Sequence, residues 1–158
     1  MHKVTVIVPV YNAEQCIERC VRSLFEQTLA DIEYIFVDDC TPDKSMEVLE
    51  RVLKEYPKRA ESTVIIRHEK NTGQSGARRD GIKAATGEYL IHCDADDWVD
   101  TDMYESMYNK AKEDGVEAVC CDIVLEFDNQ SVTLSVTDEY DDHQMMYDCK
   151  APISVEYF

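Results

Sequence analysis

The chain has 158 residues, with 33 acidic against 16 basic side chains, so its formal net charge is −17. This length suffices for one domain with a sizeable core. The acidic balance argues against nucleic acid and anionic lipid as partners of these residues, because a phosphate surface needs a basic footprint.

The cysteines and the apolar runs indicate the cellular compartment. There are seven cysteines, an odd number without a Cys-x-x-Cys pair, which is not typical of a disulfide framework or a zinc site. Lys3 leads directly into a strand pattern, so no signal peptide is expected, and no apolar run approaches the length of a membrane span. We expect a cytoplasmic protein without a transmembrane segment in this chain, which in a full-length form can lie peripherally at the inner face of the membrane.

Strand and helix patterns alternate over most of the chain. A β-branched run at 4–8, stopped by Pro9, reads as a strand buried on both faces. Further strand patterns follow at 34–37, 64–66, 88–93 and 118–124. Between them, helices are predicted after a cap at Asn12, from Thr41-Pro42 to Pro57, over 77–85, and from Asp100 to Ala111. The alternation predicts an α/β fold with a mostly parallel sheet and helices on both faces.

The tail has a different pattern. Val132, Leu134 and Val136 alternate with polar residues, which predicts one half-buried strand, and 138–142 is an acidic patch typical of a solvated loop. We expect residues 1–124 to form the α/β core and residues 125–158 to begin a second, incomplete region.

The tetrapeptide Asp94-Ala95-Asp96-Asp97 directly follows the strand pattern at 88–93. Acids crowded at the end of a buried strand repel one another and are costly to desolvate, and a divalent cation would offset that cost. Mg²⁺ and Mn²⁺ favour one or two carboxylates together with phosphate oxygens. The motif therefore predicts a metal-bridged diphosphate site, although a solvated turn that caps the next helix explains the same four residues about equally well.

The position of other polar residues favours the site. Ligands of parallel sheets bind beyond the carboxyl ends of the strands. Residues at those ends include Tyr11, Asp38, Asp39, Asp94 and Asp96.

Ordered motifs between residues 4 and 124 resemble the family-two glycosyltransferases of the GT-A fold. They are Val6 to Asn12, Gln27-Thr28, Val37-Asp38-Asp39, Asn71-Thr72-Gly73, Ala77-Arg78, and Gly87-Glu88-Tyr89 through Asp97. The resemblance implies the GT-A fold of nucleotide-diphospho-sugar transferases, with a mostly parallel Rossmann-like sheet, and it covers the N-terminal, donor-binding portion of such an enzyme.

The resemblance also implies a nucleotide-binding role for residues after the first two strands. Pro9, Val10 and Tyr11 would cradle the base, with Tyr11 packed on it. Asp39 would accept a hydrogen bond from the base, typically from N3 of uracil. Asp38 would support Asp39 or approach the ribose, although it can equally cap the following helix, and Tyr11 can simply cover the end of the sheet.

Further implied roles concern the diphosphate. Asp94 corresponds to the first acid of the family's Asp-x-Asp motif, near ribose and metal, and Asp96, after Ala95, corresponds to its metal ligand. Arg78 corresponds to the arginine that faces the donor pocket, although it can instead only pair with a neighbouring acid. The implied cofactor is Mn²⁺ or Mg²⁺.

Several residues fall outside these motifs or depart from them. His68 and His92 have no motif support, and Trp98 is expected in the core. Arg79-Asp80 and Cys40-Thr41 differ from the family's usual residues. No residue after 124 matches the family's base motif, so the catalytic base is unidentified and is expected beyond Phe158, with Asp97 as a weaker candidate by proximity.

The resemblance implies an inverting, metal-dependent glycosyltransferase of cell-envelope polysaccharide biosynthesis. It would move sugar from a nucleotide-diphosphate donor, a UDP-sugar, to a glycan or lipid-linked acceptor. The alternatives are a donor-binding fragment without turnover, a nucleotidyltransferase and a receiver-like domain. A nucleotidyltransferase usually carries a Gly-rich basic loop where this chain has Pro9 to Asn12. A receiver needs a lysine late in the chain, and Lys150 lies in no strand pattern. The sugar, the acceptor, the linkage and the oligomeric state are not determined by the sequence.

Overall fold

Alternating strands and helices build most of the described structure. The computed structural model describes residues 1–127, 130–134 and 145–148. The elements, in chain order, are β1 (Val4–Val10), α1 (Ile17–Phe25), β2 (Ile32–Asp38), α2 (Ser45–Leu53), α3 (Pro57–Ala60), β3 (Thr63–Arg67), α4 (Gly73–Ala84), β4 (Tyr89–His92), α5 (Met103–Asp114), β5 (Ala118–Cys120), β6 (Ile123–Phe127), β7 (Gln130–Leu134) and β8 (Met145–Asp148).

The main sheet has six strands in the order β3-β2-β1-β4-β8-β5. The first four strands in this order are parallel, whereas β8 is antiparallel to β4 and to β5. Strands β6 and β7 form a separate antiparallel pair. The predicted α/β fold with a mostly parallel sheet is confirmed, and the order places β1 between β2 and β4.

Helices cover both faces of the sheet, as predicted. Val4, Val6 and Val8 of β1 point to the face covered by α1, α2 and α5, where the larger apolar cluster lies. Ile7 points to the other face and packs near Ala77 of α4. A Cβ at Gly81 would lie 2.5 Å from Cγ2 of Ile7, so this glycine lets α4 approach the sheet closely.

Strand β1 runs past the residue predicted to stop it. Pro9 stays in register with Val37 of β2, whereas the pairing with β4 ends where Ile7 faces His92. One side of β1 therefore has no strand partner at Pro9, and a missing N–H is tolerated there.

The first two helices begin later than predicted, at Ile17 and Ser45. Asn12 does not cap α1: it has a positive φ of 54°, and its N–H donates to Oγ1 of Thr41 at 2.8 Å. Because the N–H groups after β1 find side-chain partners in the loop after β2, no local cap at Asn12 is needed. Pro57 begins α3 rather than ending α2, since proline suits the first turn of a helix.

The segment predicted as one strand over 118–124 is two strands. Cys121 and Asp122 separate β5, which lies in the main sheet, from β6, which leaves it to pair with β7. Strand β7 contains Val132 and Leu134 of the predicted tail strand, whereas Val136 and the acidic patch at 138–142 lie outside the described residues.

The predicted division at residue 124 stays a prediction. Strand β6 crosses this position, and β8, from the tail, lies in the main sheet beside β4. Among the described residues, no helix has both the length and the apolar character needed to cross a membrane.

Candidate functional site

A cavity of about 510 Å³ opens at the carboxyl ends of β1, β2 and β4. Such a sheet edge is where parallel α/β folds bind ligands, since the loops after neighbouring strands converge there. The cavity is lined by Pro9, Val10, Tyr11, Asn12, Ala13, Cys16, Asp39, Asn71, Gly73, Gln74, Ala77, Asp94, Ala95 and Asp96. Seven of the nine residues predicted to bind nucleotide sugar are therefore brought together, and the other two, Asp38 and Arg78, are not among the lining residues.

Asp39 is a buried carboxylate with four hydrogen-bond donors. Oδ1 accepts from Nδ1 of His68 at 2.8 Å, from the Thr72 N–H at 2.8 Å and from the Thr72 hydroxyl at 2.9 Å, and Oδ2 accepts from the Gly73 N–H at 2.8 Å. Burial favours a higher pKa for Asp39, but these hydrogen bonds outweigh it and hold the pKa below its usual value. Oδ2 keeps capacity for one more donor from the cavity.

His68 was not predicted to belong to the site. Its side chain is mostly buried, and because an ionised Asp39 can only accept, Nδ1 of His68 must carry the hydrogen. Nε2 lies 3.4 Å from Oδ2 of Asp80 without forming a hydrogen bond. Its position directly after β3, at the same sheet edge as Asp39, was the sequence signal for this contact.

The loop after β1 is fixed by side chains from the loop after β2 and from the first residue of α2. The Ala13 N–H donates to Oγ of Ser45 at 2.9 Å, and the Glu14 N–H donates to Oδ2 of Asp43 at 2.8 Å. Burial favours a higher pKa for Asp43, but hydrogen bonds from Ser45, Glu14 and Thr41 lower it to about 2. These contacts hold Tyr11, whose surface is 52% exposed, at the wall of the cavity.

Asp38 supports a turn. Its Oδ1 accepts a hydrogen bond from the Thr41 N–H at 2.9 Å, three residues later in the chain. The sequence allowed Asp38 to cap the following helix. In the structure it caps the turn before α2 and not the helix itself.

Three carboxylates converge in the loop after β4. One oxygen each of Asp94, Asp96 and Asp97 lies within 4.8 Å of the other two. Partial burial and the charges of Asp96 and Asp94 raise the pKa of Asp97. Converging acids of this kind are hard oxygen ligands, so the group fits a divalent cation such as Mg²⁺ or Mn²⁺.

Arg78 contacts this acidic group directly. Its Nη2 donates to Oδ1 of Asp94 at 2.7 Å, and Nε2 of Gln74 donates to the same oxygen at 2.9 Å. Arg78 therefore forms an ion pair with a neighbouring acid, which is one of the two roles that the sequence allowed for it. The other carboxylate oxygen, Oδ2 of Asp94, remains for other partners. Gln74, which no motif singled out, lies one turn before Arg78 on α4.

Two other residues near the acidic group differ in environment. His92, the last residue of β4, is partly buried, and burial together with the positive charge of Arg78 lowers its pKa to about 4. Trp98, expected in the core, is instead 37% exposed, and the guanidinium Cζ of Arg19 lies 3.1 Å from its ring centroid. The expectation for Trp98 was wrong because an apolar residue at a loop end can pack on a cation instead of the core.

Comparisons with known proteins concern the family and the fold of the chain. Glycosyl transferase family 2 matches residues 5–153. The uncharacterized glycosyltransferase EpsJ of Bacillus subtilis is 43% identical over 118 residues, which are 75% of this chain and 33% of EpsJ. The chain thus spans about a third of the length of this relative.

Two solved structures show the same architecture. A structure of S. aureus TarS 1–349 in complex with UDP has a TM-score of 0.72 at 24% identity, covering 82% of this chain and 38% of that one. The mannosyltransferase PcManGT of Pyrobaculum calidifontis, in complex with GDP-Man and Mn²⁺, has a TM-score of 0.69 at 27% identity, covering 76% of this chain and 35% of that one.

Proposed function

Because this chain belongs to glycosyl transferase family 2 and has the GT-A fold, we propose that it is the donor-binding part of a glycosyltransferase. The enzyme would move a sugar from a nucleotide-diphosphate donor, a UDP-sugar, to a glycan or lipid-linked acceptor, with inversion at the anomeric carbon.

One observation carries the proposal: a single cavity joins Tyr11 and Asp39 to Asp94 and Asp96. Asp39 follows β2 and Asp94 follows β4, and β1 lies between these strands. Neighbouring strands are about 4.8 Å apart, so the two acids emerge from strands separated by about 10 Å. Such a span suits a ligand with a hydrogen-bonding base at one end and a charged diphosphate at the other.

Asp39 would select the base. An ionised carboxylate only accepts, so Oδ2 favours a base that presents an N–H, such as uracil at N3, and disfavours cytosine, whose N3 is an acceptor. Tyr11, with Pro9 and Val10 beside it, would pack against the face of that base. TarS was solved with UDP and PcManGT with GDP-Man, and guanine also presents a ring N–H, so the test includes both nucleotides.

Asp96 and Asp94 would hold Mn²⁺ or Mg²⁺, and PcManGT binds Mn²⁺. The bound cation would supply positive charge to the leaving diphosphate. The acceptor hydroxyl would attack the anomeric carbon from the face opposite the diphosphate, and a carboxylate would take its proton. Asp97 is a candidate base by its proximity to Asp94 and Asp96, and Arg78 would keep Asp94 oriented.

Nucleotidyl transfer and donor binding without turnover are the two alternatives. Nucleotidyl transfer is disfavoured by membership of family 2 and by the first loop, which has Pro9 to Asn12 instead of a Gly-rich basic segment. Donor binding without turnover is the second candidate, since no residue after 124 matches the family's base motif.

The proposal is tested by calorimetric titration of the chain with UDP, GDP, CDP and uridine, each with Mn²⁺ and with EDTA. We expect UDP to bind with Mn²⁺, and we expect its affinity in EDTA to be no higher than that of uridine, because the acids repel the phosphates. Equal UDP affinity in both solutions would reject the metal role, and preference for GDP or CDP would reject UDP as the donor nucleotide. Release of labelled sugar from a UDP-sugar, with and without glycan acceptors, separates turnover from donor binding alone.

A further inference from the structure

Helix α1 and the turn after it run alongside the loop after β4 that carries Asp94, Asp96 and Asp97, the acidic loop. The Cys20 thiol lies 3.5 Å from the carbonyl oxygen of Asp94, the Val99 N–H donates to Oγ of Ser23 at 3.3 Å, and Nε2 of Gln27 donates to the Asp100 carbonyl oxygen at 2.6 Å. Cys20 and Ser23 lie three residues apart on α1 and therefore on one side of it, and Gln27 follows in the turn after the helix. The loop thus contacts α1 or the turn after it at its first acid, Asp94, and again after its acids, at Val99 and Asp100.

The Arg19–Trp98 stack is a further contact between α1 and this loop, and it lies at the surface. Cζ of Arg19 lies 3.1 Å from the centroid of the Trp98 ring. Oε2 of Glu126 lies 3.5 Å from Nη2 of Arg19, and both of these side chains are about half exposed. Trp98 follows Asp97 directly, so the stack holds the carboxyl-terminal end of the acidic group.

Arg22, one turn after Arg19, serves a different purpose. It donates to Glu18 and to Glu55 through four hydrogen bonds of 2.9–3.1 Å and thereby joins α1 to the segment after α2. Among the described residues, its hydrogen-bond partners lie on α1 and in the segment after α2, away from the loop that follows β4. The two arginines carry the same charge on the same helix, which makes Arg22 a matched control for Arg19.

We propose that the Arg19–Trp98 stack is a positioning contact that holds the loop of Asp94, Asp96 and Asp97 in the geometry that receives a divalent cation. The functional consequence rests on the proposed function, whereas the mechanical claim does not. Three carboxylates within 4.8 Å of one another repel and favour an opened loop. The turn that gathers them has a hydrogen bond from the Asp97 N–H to the Asp94 carbonyl oxygen, at 3.1 Å, and the stack begins at the next residue.

Amide hydrogen exchange of the metal-free chain tests the mechanical claim. In Trp98→Leu and in Arg19→Gln we expect the Asp97 and Val99 amides to exchange about two- to tenfold faster, the range that a partly exposed cation–π contact supports. Trp98→Phe keeps an aromatic face and Arg22→Gln leaves the stack intact, so both should exchange as the parent does. Trp98 is the single tryptophan, so its fluorescence reports the loss of Arg19 directly.

Manganese affinity, measured by electron paramagnetic resonance with saturating UDP, tests the consequence. Removing a positive charge near a cation site strengthens cation binding by Coulomb's law alone, whereas loss of positioning weakens it. We therefore expect Arg19→Gln and Trp98→Leu to bind Mn²⁺ about two- to tenfold more weakly, and Arg22→Gln to bind it no more weakly than the parent.

The outcomes are separable. Three results would each overturn the proposal. The first is unchanged amide exchange in both Arg19→Gln and Trp98→Leu, and the second is tighter Mn²⁺ binding by Arg19→Gln. The third is amide exchange in Trp98→Phe as fast as in Trp98→Leu. If the parent binds no Mn²⁺ with UDP, the metal role in the proposed function is rejected, and amide exchange still decides whether the stack holds the loop.

Discussion

Two titratable side chains at the carboxyl edge of the sheet, the buried Asp39 and the partly buried His92, differ in charge: one stays ionised and the other stays neutral. Asp39 stays ionised because four donors converge on it. His92 stays neutral because burial and the nearby charge of Arg78 disfavour its protonated form. The same edge therefore contains an acceptor ready for a donor on the ligand and an imidazole that does not add positive charge near pH 7.

Substitution of Asp39 by Asn should weaken UDP binding by about 1–3 kcal/mol, the usual value of a hydrogen bond to a charged group. The amide presents one acceptor oxygen where the carboxylate presents two, so preference for UDP over CDP should also narrow. Calorimetric titration with Mn²⁺ measures both effects. Asp31→Asn, which removes an equal charge from a surface pair with His2, is the control, and UDP binding by Asp39→Asn equal to that of the parent would make Asp39 purely structural.

Stability should fall as the pH is lowered from about 6.5 to 4, in part because of His92. Its pKa is about 4 in the folded chain against 6.5 as the ordinary value, so in this window the unfolded chain binds more protons. Urea unfolding of the parent and of His92→Gln at pH 7 and pH 5 isolates the effect. We expect the parent to lose about 2 kcal/mol more than the variant between these two pH values, with His2→Gln as a histidine control. Equal losses would show that His92 titrates normally.

At the scale of elements, a buried carboxylate connects three segments at the amino-terminal edge of the sheet. Oε2 of Glu33 on β2 accepts from the Thr5 hydroxyl of β1 at 2.6 Å and from the Thr86 N–H at 2.8 Å, and Oε1 accepts from the Thr86 hydroxyl at 2.9 Å. Thr5 in turn accepts from the Gly87 N–H at 2.8 Å. This network fixes the turn between α4 and β4, and thereby the start of the strand that carries the acidic loop.

Substitution of Glu33 by Ala should therefore destabilise the fold by about 2–5 kcal/mol, because buried donors of Thr5 and Thr86 lose their acceptor. Urea unfolding measures the change. Glu47→Ala, on the exposed side of α2, is the matched control and should stay within about 0.5 kcal/mol of the parent. A loss below about 1 kcal/mol in Glu33→Ala would mean that water replaces the carboxylate at this site.

At the scale of the whole molecule, the net charge of −17 opposes an anionic ligand. The positive groups near the cavity include Arg78, which does not line it and is paired with Asp94, and backbone N–H groups. The diphosphate of a nucleotide sugar therefore meets a repulsive field unless a cation intervenes. Uridine, which has no phosphate, does not meet this barrier.

Salt should consequently strengthen metal-free UDP binding. The screening length falls from about 10 Å at 0.1 M to about 3 Å at 1 M ionic strength, which reduces repulsion from distant acids. In EDTA we expect UDP to bind about two- to tenfold more tightly at 1 M NaCl than at 0.1 M, and uridine affinity to stay constant. Weaker UDP binding at high salt would indicate that Arg78 and nearby N–H groups dominate the local field.

Much of the fold and of the cavity wall was predictable from the sequence. The β-branched runs and the helical stripes predict a mostly parallel sheet and the order of its strands along the chain, because burial on both faces demands continuous apolar residues. The acids after β2 and β4 predict a site at the carboxyl edge, since parallel strands deliver their ends to one edge. These inferences need only local pattern and topology.

The helix starts, the split of 118–124 and the insertion of β8 were decided by tertiary structure. The N–H groups of Asn12, Ala13 and Glu14 donate to side chains about 30 residues later. An alternating apolar pattern does not specify which strand it pairs with. His68 joins Asp39, and Arg19 covers Trp98, only because distant segments meet in the folded chain. The sequence by itself determined the α/β class, the edge of the sheet at which the acids gather and the family, because these follow from periodicity and motif order. Tertiary structure decided the partners of each polar group, because hydrogen bonds and ion pairs depend on distances between residues that the chain order does not contain.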